Sequence, residues 1–503
     1  MKGGVSQIHA EIARLASTIR GHALSYGLDP FDTTFELIKH DELNEVAAYG
    51  GFPTRYPHWR FGMHYEELEK GYSFGLQKIY ELVINNDPCT AYLMKSNSLV
   101  DQKLVIAHVY GHSDFFKHNA WFSKTNRKML DQMANHGTRL RRYVEKFGEG
   151  PVEDFLDACL SVENLIDYHS VYAPRKRRID TPVEVQEREA TVRKFQSKDY
   201  MDRFVNPRSF LEQQKKKIEG ELARKRRLPE EPEKDVLLFL LENAPLDNWQ
   251  RDVLSIVRDE AYYFAPQALT KIMNEGWASY WHSRIMTEKV LEPSEVIEYA
   301  EHHAGTLGTR PGVINPYKLG IELFRDIEDR WNRGRFGPEW ERCDDVERRR
   351  NWDLKLGLGR KKIFEIRAIH NDLTFIDEFL TEDFCKEQKM FTYRHNPQSG
   401  RSEIHEREYD KIKETLLFRL TNMGHPIIRV TDGNYRNRGE LLLEHQHAGL
   451  DLDLKEGRET LRNLFRIWKR PAHIATLVEG ERKVYGYDGT KHSEEAAGAG
   501  QGS

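Results

Sequence analysis

The sequence predicts an α+β fold that is predominantly helical, with a short strand pair inside a helical core and a small C-terminal α+β unit. Three observations predict it. Apolar residues recur at helical spacing, as at Ile8, Ile12, Leu15, Ile19 and Leu24. Two short β-rich runs, 78–84 and 90–94, flank the turn-forming Asn85-Asn-Asp-Pro-Cys89, and further runs of this kind follow residue 425. No stretch approaches the roughly 18 apolar residues of a membrane-spanning helix.

Taken in order, Gln7 to Gly27 reads as an amphipathic helix covering one face of the core, stopped at Gly27-Leu-Asp-Pro30. Ala48 to Gly62 is loop chemistry, with Arg55, His58 and Arg60 among aromatics, suited either to lining a cleft or to packing on the core. A His-bearing helix follows the strand pair, then helices over Thr125–Phe147 and Val152–Asp167. From 173 to 234 the chain turns charged and apolar-poor, with Pro174-Arg-Lys-Arg-Arg178 and Arg224-Lys-Arg-Arg227, and reads as a solvated insert. Helix resumes at Trp249–Phe264, with Ala265-Pro266 as a break before a second helix carrying Asn274-Glu275-Gly276-Trp277. Asn315-Pro316 starts another helix running to Trp331, and Ile363–Leu380 is helical. Strands at 426–431 and 441–447 joined at Asp432-Gly433, a helix over Leu461–Trp468 and a hairpin at 473–478 and 483–487 complete the tail. The expected domains are 1–172, the insert 173–234, 235–390, an α+β unit 391–490 and a disordered tail 491–503.

Composition narrows the function classes. The formal net charge is -4 with 31% charged residues, so no excess of either sign selects nucleic acid or an anionic membrane as partner. Aromatics at 11% indicate a packed globular chain. The four cysteines, Cys89, Cys159, Cys343 and Cys385, form no Cys-x-x-Cys pair, which argues against a cysteine-type zinc site and for a reducing compartment. Met1-Lys-Gly-Gly is followed by no apolar segment of a signal peptide, so a cytoplasmic location is expected.

Chemistry concentrates in two distant helices. In Leu104-Val-Ile-Ala-His108-Val-Tyr-Gly-His112 the two histidines stand four apart, so both imidazoles face one point. Glu275 sits in an apolar, aromatic helix where an unpaired carboxylate is costly. Two histidines and a glutamate with an open fourth position form the usual catalytic zinc site, while a hydrogen-bonded polar core is the competing reading. Glu260 is the candidate surrogate base, or else a partner of Arg251 or Arg258; His282, two turns from Glu275, is a candidate proton donor, fourth ligand or core histidine. Asp114 suits an outer role, holding an imidazole. His445 and His447 share a strand face but lack a third ligand nearby.

The Asn274–Tyr280 segment resembles the helix that carries the glutamate ligand in gluzincin zinc metallopeptidases, and a strand pair before a His-x-x-x-His helix resembles their core order. Two departures stand out: Val109 occupies the place of the general-base glutamate, and more than 150 residues separate His112 from Glu275. Over nearly the whole chain apart from the charged insert and the last residues, segments including 48–55, 80–85, 106–109 with 114–117, Thr270–His282, Asn315-Pro-Tyr317 and 427–489 resemble the stage V sporulation protein R (SpoVR) family. That resemblance implies a bacterial cytoplasmic protein linked to sporulation and spore cortex (peptidoglycan) formation, with partners in a cell-wall or serine-kinase stress pathway. It carries no settled reaction. The combined expectation is a zinc-binding hydrolase of peptide or amide bonds, with His108, His112 and Glu275 as ligands and Glu260 or His282 moving protons. The alternative is a non-catalytic regulator or scaffold that keeps a relic site.

Overall fold

The protein is described as a computed structural model, which covers residues 2–73, 81–173, 207–225, 228–308, 313–390, 392–396, 401–406 and 408–496. Most of the charged insert, the start of the expected strand at 78–80 and the end of the tail lie outside the described residues; within the insert, Arg208–Lys225 is helical. The fold is α+β and predominantly helical. Contacts divide the chain into two units, each assembled from separated segments: Met1–Lys146 with Tyr263–Gly424, and Phe147–Tyr262 with His425–Ser503. The serial division expected from the sequence does not anticipate this exchange of segments.

In the first unit, β1 (Thr33–Ile38), β2 (Glu81–Ile84) and β3 (Cys89–Met94) form a sheet in the order β1-β3-β2. β2 and β3 are the expected strand pair and run antiparallel, and β1 adds a parallel partner to β3. Every residue of β3 is buried, which fits a central strand. The chain then enters the His helix, Leu99–His118, whose first turn is capped by Ser98 accepting from Asp101 N at 3.1 Å. Helix Lys2–Ser25 lays Ile12, Ile19 and Ala23 on the same core.

The Glu helix, Lys271–Ile285, lies against both the His helix and helix Pro316–Arg333. Its neighbours approach almost backbone to backbone. A Cβ on Gly111 would lie 2.7 Å from Ala278 Cα, and one on Gly320 would lie 2.2 Å from the Ile272 carbonyl oxygen. Gly276 faces Gly320 just as closely. Around these contacts Trp277, Trp281, Phe115 and Phe324 fill the core.

The N-terminus of the Glu helix is capped from far along the chain. Thr270 makes no side-chain cap, and the carboxylate of Asp372 accepts from Ile272 N at 2.8 Å and Met273 N at 2.9 Å. Asp372 reaches this position because the single helix expected over 363–380 is two, Gly359–Ile369 and Asp372–Phe379. Asn371 interrupts them by capping Thr374 N at 3.0 Å. The break expected at Ala265-Pro266 is absent: helix Asn248–Leu269 runs through Pro266. Tyr263, Ala265 and Leu269 are buried there, and that packing outweighs the missing donor of one proline.

After a hairpin of β4 (Thr392–Asn396) and β5 (Arg401–Glu406) in the first unit, the second unit holds a five-stranded sheet. Its strands are β6 (Ile428–Tyr435), β7 (Glu440–His445), β8 (Ala472–Val478), β9 (Glu481–Tyr487) and β10 (His492–Ala496), in the order β10-β9-β8-β7-β6. β7 and β8 are parallel, joined by helix Leu454–Trp468; the other neighbours are antiparallel. Two expectations change here. The reversal is at Arg436–Gly439, not Asp432-Gly433, since Arg436, Asn437 and Gly439 take the positive φ a tight turn needs. Part of the tail expected to be disordered is the edge strand β10.

Three outcomes follow for stability. Gly320→Ala forces the Glu helix off its neighbour and should cost about 1–3 kcal/mol or more in chemical denaturation. Gly21→Ala, where a Cβ meets nothing within 4 Å, should leave stability unchanged or slightly raised. Burial pushes Asp372 up from 3.8 to about 7, with Glu275 adding to the rise and the two backbone donors opposing it. The native state therefore holds this proton more tightly than the unfolded chain, and the stability it contributes is full below pH 3.8 and lost as pH rises through about 7. Denaturation across that range should show the Asp372→Asn variant gaining on wild type as pH rises; a constant difference contradicts the assignment.

Candidate metal centre

The crossing of the His and Glu helices brings His108, His112 and Glu275 together, so that one ligand atom from each lies within 4.8 Å of the others. His112 Nε2 stands 3.4 Å and His108 Nε2 3.5 Å from the same carboxylate oxygen, Glu275 Oε2. The rings of the two histidines are 4.5 Å apart and nearly perpendicular, as four-residue spacing on one helix allows. Glu275 Oε2 is buried and makes no hydrogen bond. Donor atoms bound about 2.0–2.1 Å from a tetrahedral ion lie roughly 3.3–3.4 Å apart, whereas a direct N–H···O bond is about 2.9 Å. The observed separations match a shared ion better than a hydrogen-bonded cluster.

The surroundings prepare these atoms as ligands. His112 Nδ1 pairs with Asn274 Oδ1 at 2.9 Å; the amide oxygen is an acceptor, so Nδ1 carries the proton and Nε2 presents its lone pair. His108 Nδ1 lies 2.8 Å from His282 Nδ1, and His282 Nε2 lies 3.2 Å from His303 Nδ1. If His108 Nδ1–H donates to His282, and His282 Nε2–H to His303, every ring in the row is neutral and His108 Nε2 faces Glu275. Phe116 stacks against His112 and Tyr317 against His108, at 6.1 Å in each case.

Electrostatics agree that these rings are neutral. Burial, reinforced by His112, lowers His108 to about 4 against the opposing pull of Glu275, so its imidazole is neutral near pH 7. Burial also holds His282 well below the usual histidine range, with His108 and His303 adding to it. Burial acts to raise Glu275, but the adjacent His108 and His112 outweigh it and keep the carboxylate ionised. The imidazole side chains are only 4% and 6% exposed, whereas that of Glu275 is 18% exposed, so the approach to the cluster is from the carboxylate side.

The remaining sequence candidates fall elsewhere. His282 is not free to be a fourth ligand, since both its ring nitrogens are engaged by histidines. Glu260 is buried in the second unit, and Arg258, one of its expected partners, is instead bound to Asp235 at 2.6 Å. Asp114 does not hold an imidazole of the cluster. It accepts from Trp277 Nε1 at 2.9 Å, Asp29 N at 2.8 Å and Arg367 at 2.5 Å, a wholly buried tie between segments of the core. Val109 is wholly buried in the apolar core. His445 bonds Thr476 and His447 bonds Asp451, so neither joins a metal cluster among the described residues. Asn274 and His303 were not anticipated; the first had a signal, an amide next to the glutamate, and the second had none.

Comparison with known proteins places the chain. A family model described as "SpoVR like protein" matches residues 7–425. The chain is 31% identical over 491 residues to the protein named "Uncharacterized protein YcgB" of Escherichia coli (strain K12), covering 91% of this chain and 89% of that protein. No solved structure matches.

Proposed function

The chain belongs to the SpoVR family, and from that premise we propose that it is a metal-dependent hydrolase of peptide or amide bonds, with a zinc centre held by His108, His112 and Glu275. The observation that carries this reading is the convergence of two imidazole nitrogens on one hydrogen-bond-free carboxylate oxygen at 3.4 and 3.5 Å. A zinc ion there would supply Lewis acidity and lower the pKa of a bound water to about 7. The residues themselves do the positioning: Asn274 fixes the tautomer of His112, and His282, backed by His303, fixes that of His108. The gluzincin likeness rests on this ligand set, and the family context points to cell-wall peptides, in the cytoplasm, as the place to look for substrate and partners.

Val109 favours a second reading. An apolar, wholly buried side chain stands where the gluzincin pattern has its base, so no carboxylate flanks the cluster from that position. A non-catalytic regulator that retains the metal and acts through protein partners accommodates this without a replacement base.

Elemental analysis of protein purified without chelators or metal-binding tags should find close to one zinc per chain, and none in Glu275→Ala. A metal-free wild type ends the hydrolase reading. His282→Phe should weaken zinc binding by about 10–100-fold in chelator competition, with His282→Gln recovering part of the loss. Stoichiometric zinc together with cleavage of peptide or peptidoglycan-precursor amides, lost in Glu275→Ala, supports the hydrolase; full occupancy with no turnover supports the regulator.

A further inference from the structure

We propose that the C-terminal sheet carries a second binding site, a cleft for a small oxyanion-bearing molecule. Apart from Pro232, its lining lies past residue 425, where the family match ends, and it is independent of the metal centre reading. The argument starts from topology. β7 and β8 are the parallel pair, and the crossover helix Leu454–Trp468 brings the chain back so that both strands end on the same side. In such βαβ arrangements ligands bind outside the carboxyl ends of the strands. Those ends, His445-Gln446-His447 and Thr476-Leu477, line a cleft of about 500 Å³, a volume suited to a small molecule.

The lining sets the ligand's chemistry. Two guanidinium groups, Arg429 from β6 and Arg482 from β9, flank the cleft. Arg482 is held by Glu444 at 2.7 Å, but both side chains are about half exposed, at 58% and 45%, and such a pair is weak enough in water to be exchanged. Guanidinium forks match the geometry of phosphate and carboxylate oxygens. The wall is already built. Asp451 Oδ1 accepts from His447 at 2.7 Å, and Asp451 Oδ2 accepts from Glu479 N at 3.0 Å, tying the loop after β7 to the end of β8. His445, 8% exposed, is pinned by Thr476 Oγ1 at 2.9 Å. The N-terminus of the crossover helix is not the anion site, because Asp453 already accepts from Lys455 N and Glu456 N. Recognition therefore falls to the two arginines, with Gln446 supplying a polar edge.

The test is isothermal titration of the full chain, in chelator-treated buffer, with inorganic phosphate, pyrophosphate and citrate as separate probes. Saturable binding of at least one probe is expected, at least tenfold weaker in Arg429→Gln and in Arg482→Gln and unchanged in Arg462→Gln, an exposed arginine outside the cleft. Preference for phosphate or for citrate identifies which oxyanion is taken. Arg429→Lys, which keeps the charge but not the fork, should fall between. Glu275→Ala should bind as wild type does, so failure of the zinc centre and failure of the cleft are read separately. No saturable binding of any probe overturns the proposal, as does binding that survives both cleft variants or that falls equally in Arg462→Gln. Circular dichroism melting of each variant identifies any loss caused by unfolding.

Discussion

The packing of the Glu helix between two neighbours at backbone distance is the constraint on which the first unit depends. Gly111 against Ala278 and Gly276 against Gly320 leave no room for a methyl group, so the three helices have one register. That register matters because Gly111 precedes His112 and Gly276 follows Glu275. The residues that permit the close approach are thus chain neighbours of two of the proposed ligands. A shift of one residue along either helix would carry the carboxylate to another face, away from both imidazoles.

Such a site requires polar groups in an apolar surround, and the protein satisfies them individually. Asp372 takes the two orphan donors at the start of the Glu helix, and Asp114 takes Trp277, Arg367 and a backbone amide. Lys103 and Glu295 form a largely buried ion pair at 2.8 Å that ties the His helix to the segment preceding helix Val296–Thr306. That helix supplies His303, so the ion pair helps fix the end of the histidine row. Glu275 Oε2, like Ser279 Oγ and Trp281 Nε1 on the same helix, is buried without a hydrogen bond, but it faces two imidazole nitrogens, and a bound cation would satisfy it.

The two proposed sites differ in kind. The proposed metal centre is largely buried, made from helices and flanked by aromatic side chains, conditions that strengthen electrostatic interactions. The cleft on the C-terminal sheet is open and lined by exposed charged groups, conditions suited to reversible, salt-sensitive capture of a small anion.

What the sequence determined by itself was whatever local periodicity encodes. His108 and His112 are four apart on a helix whose position and type were readable, and an acidic residue in the apolar Asn274–Trp281 run announced itself by its cost. The helical character of the chain, the β2–β3 pair and the final hairpin were legible for the same reason. Contacts between distant segments were not. Asp372 caps a helix a hundred residues away, His303 reaches His282 from another helix, β1 joins β3 across more than fifty residues, and both units exchange segments. Pro266 read as a break between the helix of Glu260 and the next; one continuous helix, Asn248–Leu269, runs through it. Periodicity reports which face of an element is apolar, but only tertiary packing decides which face of which other element it meets, and that meeting is what makes three ordinary side chains a site.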